Sequence, residues 1–235
     1  KAPDEVPNFW NKNAKKAKGT DAGTYPMGWK AEDFENTNTN FSNVTFVVTD
    51  GSLTITKRPV TLTSASDKKV YDGNALTKKE VTVGGDGFAK NEGATYNVTG
   101  TQTNVGESKN TFSYTLNEGT KADNYTIEKT EGTLKVTPVT AKVTVTITGL
   151  NKTVTYDGKE HSVFGYDVTV SNELYKPKED MQFNGTDEDM TAKGTDAGTY
   201  PMELTAEAFT NISDNFSKVT FVVTDGYVIR KCDVG

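Results

Sequence analysis

The eleven residues AKGTDAGTYPM stand at positions 17–27 and again at 192–202, 175 positions apart. The likeness does not stop there: 17–51 and 192–226 align without a gap and agree at about three-quarters of positions, so AEDFENTNTNFSNVTFVVTDG lies opposite AEAFTNISDNFSKVTFVVTDG. A repeat of this length restricts the chain to an architecture in which one supersecondary unit is used more than once. A looser repeat links Tyr71-Asp72-Gly73 to Tyr156-Asp157-Gly158, each after a β-branched run, and NYTIEKTEGTLKVTP takes the place of NFSNVTFVVTDGSLTITK in the middle of the chain.

The unit is written in β-structure. Thr is about one residue in six, with abundant Val, and both are stiff at Cβ and suit a pleated, half-buried surface. AKVTVTITG alternates Val143, Val145 and Ile147 with Thr144, Thr146 and Thr148, one face for core and one for solvent. In VTFVVTDGSLTIT the alternation of Val44, Phe46 and Val48, then Asp50-Gly51, then Leu53 and Ile55, predicts a closing hairpin, repeated at 219–231. TAEAFTNI and KAEDFENT predict no more than short connecting turns. The expected fold class is all-β, a tandem and elongated array of immunoglobulin-like β-sandwich modules, with β-grasp-like modules as the alternative.

The repeats set the expected boundaries. Residues 1–58 hold the C-terminal half of a module, 59–137 and 138–231 are complete modules, and 232–235 begin another or form a tail. Short junctions carrying Pro59 and Pro138 predict little swing between neighbours.

Charge and composition narrow the function. A net charge of -6 without a dense basic stripe argues against a nucleic-acid surface. No apolar run is long enough to cross a membrane as a helix, and KAPDEVPNFW lacks the apolar core of a signal peptide, so an exported protein would be represented here by a processed or excised piece. Cys232 is the single cysteine and excludes an internal disulfide. His161 is the single imidazole, in the polar stretch DGKEHSVFG, and no catalytic residues are assigned. VGGDGFAKNEG lacks the GK[ST] of a phosphate loop and reads as a turn. The eight N-x-[ST] sequons follow from a chain rich in Asn and Thr.

Two sets of residues are the binding candidates. Sugar sites combine an aromatic plane with directed polar groups, which points to Trp10 and Trp29, although Trp29 stands where the other copy has Leu204 and is expected to face a core. KEDMQFNGTDEDM gathers Asp180, Asp187, Glu188 and Asp189, hard oxygen donors of the type that hold calcium, but without EF-hand spacing; no other cofactor is implied. The duplicated eleven-mer itself reads as framework: glycines for the turn, Asp196 bonding nearby backbone, Tyr200 turned to the core.

YDG after a β-branched strand, the central AGTY segment, N(Y/F)(T/S) and a terminal GTLKVT or GSLTIT strand together resemble the MBG/YDG-type repeats of Gram-positive cell-surface adhesins. The resemblance implies a stalk or adhesion module with no enzyme activity, exported to the bacterial surface or cell wall. It also implies attachment to host glycans, mucin or extracellular matrix, and a monomer set within a longer repeat array. The middle module departs from the pattern, with TNVGESKNTF in place of TDAGTYPM. A glycan- or mucin-binding module, and an accessory domain of a carbohydrate-active enzyme, are the alternatives.

Overall fold

The computed structural model describes residues 15–231, which are almost wholly β-structure linked by turns. Among them helical structure is confined to the four-residue turn Pro177–Asp180 and to 3-10 turns at Ala31–Asp33, Ala122–Asn124 and Ala206–Ala208. A four-residue helix is only about 6 Å long, too short to cover a sheet as a β-grasp requires. The architecture is that of β-sandwiches.

Two compact units share the chain. The first takes residues up to 65 together with 79–98 and 111–132, and the second takes 66–78, 99–110 and 133 onward. In the first unit Arg58–Ser64 is the central strand, antiparallel to Val81–Gly85 and parallel to Tyr125–Thr130. Its alternation places Val60, Leu62 and Ser64 inward, where Val60 and Leu62 meet Val98, Phe112 and Tyr125. Buried Ser64 is satisfied because its Oγ accepts the Gly132 N–H at 3.0 Å. Ala94–Val98 and Phe112–Leu116 form an antiparallel pair, as do Gly23–Pro26 and Ser52–Ile55.

The second unit repeats the plan. Val143–Gly149 is central, antiparallel to Tyr166–Val170 and parallel to Val219–Thr224, and Val143, Val145 and Ile147 are wholly buried as the period-2 pattern predicts. A second sheet centres on Tyr227–Lys231, parallel to Lys152–Thr155 and antiparallel to Gly198–Pro201. The same arrangement recurs where Thr133–Thr137 lies between Asp67–Val70, parallel, and Gly106–Lys109, antiparallel.

The expected closing hairpin is not formed. Val219–Thr224 and Tyr227–Lys231 pair in different sheets, so Asp225-Gly226 carries the chain from one sheet to the other. The Asp225 carboxylate accepts the backbone N–H groups of Glu203 and Leu204 at 3.1 and 3.0 Å, and Asp50 accepts those of Gly28 and Trp29 at 2.8 and 2.9 Å. In the second unit these bonds to a segment some twenty residues away hold Asp225-Gly226 in a sheet-to-sheet corner instead of a two-residue hairpin turn, while Asp50 makes the same bonds although 44–49 is not a strand. The Trp29 and Gly28 backbone donors also hold the Asp50 carboxyl below its ordinary pKa.

The YDG turns behave locally. Asp72 accepts the Asn74 N–H at 2.9 Å and Asp157 the Lys159 N–H at 3.1 Å, an Asx turn in each case, while Gly73 and Gly158 take left-handed φ of 78° and 73°.

Tyr175 gives the second unit an alkaline limit. It is 1 % exposed, its hydroxyl donates to the Asp180 carbonyl at 3.0 Å, and burial, with the nearby Asp180 charge, pushes its pKa up to about 12. Because the folded pKa lies above the unfolded one near 10, the neutral phenol's contribution is complete below about pH 10 and is lost as pH rises towards 12. The unfolding free energy from urea titrations should fall across that interval by roughly 1–3 kcal/mol, lowering the midpoint, and phenolate absorbance should show one tyrosine titrating late. A flat midpoint up to pH 12 would contradict this.

Candidate functional site

The duplicated eleven-mer makes the same turn and following strand in both copies, although Thr191–Gly194 is a strand paired with His161–Phe164 and 17–19 is not. Tyr25 Oη donates to the Asp21 carbonyl at 2.8 Å, and Tyr200 Oη to that of Asp196 at 3.1 Å. Each ring lies over a glycine: a Cβ on Gly19 would come within 2.1 Å of Tyr25, and one on Gly194 within 2.3 Å of Tyr200. Gly194 is therefore required for room, and Tyr200 is half-buried on its own turn instead of being a central core residue. In the middle segment Ser108 stands in the corresponding place and donates from Oγ to the Thr101 carbonyl at 2.9 Å.

Two of the three turns of this kind are engaged by an asparagine from far along the chain. In the first unit the Ala22 N–H donates to Asn124 Oδ1 at 2.7 Å, and Asn124 Nδ2 donates to Asp21 Oδ1 at 2.9 Å. In the second unit the Val105 N–H donates to Asn215 Oδ1 at 2.8 Å, and Asn215 Nδ2 lies 3.3 Å from Asn104 Oδ1. Both ends of each amide are used, which fixes position and orientation together. The residue after each asparagine is a buried aromatic: Tyr125, edge-on to Phe88, and Phe216, edge-on to Tyr71 and Tyr175. Lys121 adds an ion pair to Asp21 at 2.7 Å, and Asn124 and Lys121 hold the Asp21 carboxyl below its ordinary pKa.

A groove borders each contact, about 340 Å³ beside Asp21, Ala22 and Asn124, and about 320 Å³ beside Asn104, Val105 and Asn215. The sequence shows the Asn-aromatic pair as a recurring element but not its partner, which lies 102 residues away in one case and 110 in the other.

The two engaged asparagines fall in different sequence families. Residues 56–133 match the YDG domain, and residues 142–231 match the MBG domain. No curated protein and no solved structure matches the chain. The Asn215 contact thus ties a turn of the YDG segment to a loop of the MBG segment, while Asn124 ties the YDG segment to the first copy of the eleven-mer.

The residues singled out from sequence lie elsewhere. Trp10 and Cys232 are outside the described residues. Trp29, ahead of the YDG segment, is half-buried; it packs on Phe34 at 5.5 Å between centroids, with Lys15 Nζ 5.5 Å from its ring. Leu204, its counterpart in the MBG segment, is fully within a core. His161 opens the strand His161–Phe164 of the MBG segment, with Nε2 3.0 Å from Asp157 of the YDG turn.

The four acidic residues are used separately. Asp180 accepts the Lys176 N–H at 2.6 Å, Asp189 accepts from Thr186 at 2.7 Å, Glu188 pairs with Lys193 at 2.6 Å, and the Asp187 carbonyl accepts from Thr191. Among the described residues no group of three or more His, Cys, Asp or Glu side chains is placed to hold a metal ion. The glycine-rich stretch of the YDG segment is a turn, with Gly85 and Gly87 at φ near 67° and Arg58 donating to the carbonyls of Asp86 and Gly87.

Proposed function

We propose that this chain is a load-bearing spacer segment of a bacterial surface adhesin, exported and held at the cell surface or wall, where it carries attachment to host glycans, mucin or matrix away from the cell. The match to YDG and MBG domains supports the module type. The observation that carries the reading is the parallel pairing of early and late strands. Val143–Gly149 runs parallel to Val219–Thr224 through six paired positions, and Lys152–Thr155 runs parallel to Tyr227–Lys231. Arg58–Ser64 and Tyr125–Thr130 do the same in the first unit.

The geometry bears on mechanics. When a chain is pulled from its two ends, parallel strands near those ends are dragged along each other, so all the hydrogen bonds between them must yield together. Strands peeled apart from one end lose their bonds one at a time. Forced unfolding follows the unfolding barrier, and shear raises that barrier.

Single-molecule pulling tests the reading directly. In a Cys232→Ser background, handles at the chain ends are compared with cysteine handles at Lys142 and Lys218, which precede the paired ends of Val143–Gly149 and Val219–Thr224. The terminal pull should require a force several-fold above that of the Lys142/Lys218 pull. Equal forces would remove the mechanical basis of the spacer reading.

A further inference from the structure

Asn184-Gly185 is the one Asn-Gly step in the chain; every other asparagine is followed by a residue that carries a Cβ. The distinction is chemical. An asparagine side chain and the next backbone nitrogen are spaced to close a cyclic imide, and a Cβ on the next residue obstructs that closure, while glycine leaves it open. We propose that Asn184 is a self-modifying site, converting to aspartate and isoaspartate with water as the only co-reactant, at a rate that the Thr210 hydroxyl holds back.

The reaction balances without an outside reagent. The Gly185 nitrogen attacks Asn184 Cγ, a new C–N bond forms, and Nδ2 leaves as ammonia with the proton that the Gly185 nitrogen loses. A succinimide remains, and water adds to one of its two carbonyls. Cleavage of the new bond to Cγ gives aspartate in the ordinary main chain. Cleavage at the main-chain carbonyl of residue 184 gives isoaspartate, with the chain continuing through Cγ.

The fold leaves the reacting groups open and restrains them at one point. Asn184 follows the strand Met181–Phe183 and is exposed. Among the described residues no hydrogen bond holds the Gly185 N–H, which is the nucleophile. The Asn184 main chain is fixed, its N–H donating to the Ala208 carbonyl at 2.7 Å. Asn184 Nδ2 donates to Thr210 Oγ1 at 2.8 Å, which anchors the leaving amide to the neighbouring strand Phe209–Asn211. The amide gives up that bond as its carbon swings onto the Gly185 nitrogen. Gly185 is itself required for room, since a Cβ there would stand 2.4 Å from the Phe183 ring, so the reactive pair is built into the turn.

The five Asp-Gly steps of the chain do not compete. An ionised carboxylate is a poor target for an amide nitrogen, and Asp50, Asp72, Asp157 and Asp225 are further engaged by backbone N–H donors. At Asn184 the two products differ in effect. Aspartate keeps the main chain, and the Thr210 hydroxyl turns to donate where it accepted. Isoaspartate adds a methylene to the main chain and redirects the turn beside Phe183, whose ring packs on Tyr166 and Phe209. Both add a negative charge close in sequence to Asp187, Glu188 and Asp189. The chain thus carries a record of its own age, and this chemistry is independent of the spacer reading.

The test is ageing of the whole chain in mildly alkaline buffer, followed by peptide mapping. The mass change from NH2 to OH locates each converted asparagine, and fragmentation separates aspartate from isoaspartate. Asn184 should convert ahead of every other asparagine in the described residues, and the isoaspartate fraction should lose amide protection in Met181–Phe183 and Phe209–Asn211. Asn184→Gln, whose longer side chain closes a ring far more slowly, should stay unconverted at this position. Thr210 is exposed, and Thr210→Ala should convert about two- to tenfold faster than wild type, the span expected for one hydrogen bond. Thr210→Ser, which keeps the hydroxyl, should convert at the wild-type rate, with circular dichroism checking that both variants are folded. No conversion at Asn184, or earlier conversion at another described asparagine, overturns the proposal. So does a Thr210→Ala rate equal to that of Thr210→Ser.

Discussion

Gly226→Ala and Gly132→Ala are expected to destabilise their units by about 3 kcal/mol or more each, while Gly51→Ala, at the corresponding place in the third copy, changes stability far less. The reason is close approach of backbone, since none of the three has a left-handed φ. A Cβ on Gly226 would stand 2.5 Å from the Leu150 carbonyl oxygen and 2.7 Å from the Gly149 carbonyl carbon. A Cβ on Gly132 would stand 2.5 Å from the Ser64 oxygen and 2.6 Å from Ala65. In both units the glycine sits where the late strand passes the end of the central one, Val143–Gly149 or Arg58–Ser64, and a methyl group forces the two backbones apart. Gly51 meets only the Met27 side chain, with Sδ at 2.8 Å, which that flexible chain can relieve. Because a chain with two units need not unfold in one step, amide exchange is the suitable readout. Gly226→Ala should lower protection in Val143–Gly149 and Gly132→Ala in Arg58–Ser64. Undiminished protection in the mutated unit would show that the strands can separate without cost.

These glycines also mark the boundary of what the sequence reveals. The Val143–Gly149 strand was legible because alternation is a local signal: every second residue faces the same way whatever the partner is. The 3-10 turns before Phe34 and Phe209 were legible for the same reason, as a helical period cut short by Asn and Thr. The fate of VTFVVTDG was not. That octapeptide is identical at 44–51 and 219–226, yet Val219–Thr224 is a strand and 44–49 is not. What differs is the partner: Val219–Thr224 lies beside Val143–Gly149, while the described residues put no strand beside 44–49. A strand is a property of a pair, and the single sequence states only one member.

Asp225 misled for a related reason. Asp-Gly between two apolar runs is a strong hairpin signal, but the carboxylate is engaged by Glu203 and Leu204, and the apolar runs belong to different sheets. The candidate site shows the same division. The recurrence of Asn before an aromatic was visible in the sequence; that the amide grips a turn in another repeat depends on a contact across more than a hundred residues. Trp29 attracted notice as one of only two tryptophans, and its neighbours Phe34 and Lys15 are near in sequence, whereas the asparagines, common in this composition, carried the joints.

Phe216→Ala is expected to cost about 3–5 kcal/mol, whereas Phe41→Ala, at the aligned position, costs about 0.5 kcal/mol or less in dilute solution. The two residues share their flanking sequence, Asn before and Ser after, so intrinsic propensity does not separate them. Burial does. Phe216 lies between Tyr71 and Tyr175 at centroid distances of 5.7 and 5.1 Å, and its removal leaves a cavity facing two aromatic rings as well as losing its own transfer from water. It also loosens Asn215, whose contact with Val105 relies on the position of the same loop. A typical domain has only about 5–15 kcal/mol of stability, so the loss takes a large share of what the second unit has. Phe41 presents most of its ring to solvent, and its truncation removes few contacts. Urea titrations of the two variants beside wild type make the comparison, with the change in midpoint assigned to a unit by amide exchange. A Phe216→Ala midpoint within error of wild type would mean that the Asn215 amide alone secures the joint. A large loss for Phe41→Ala under monomeric conditions would mean that its loop is held by packing that the exposed ring does not reveal.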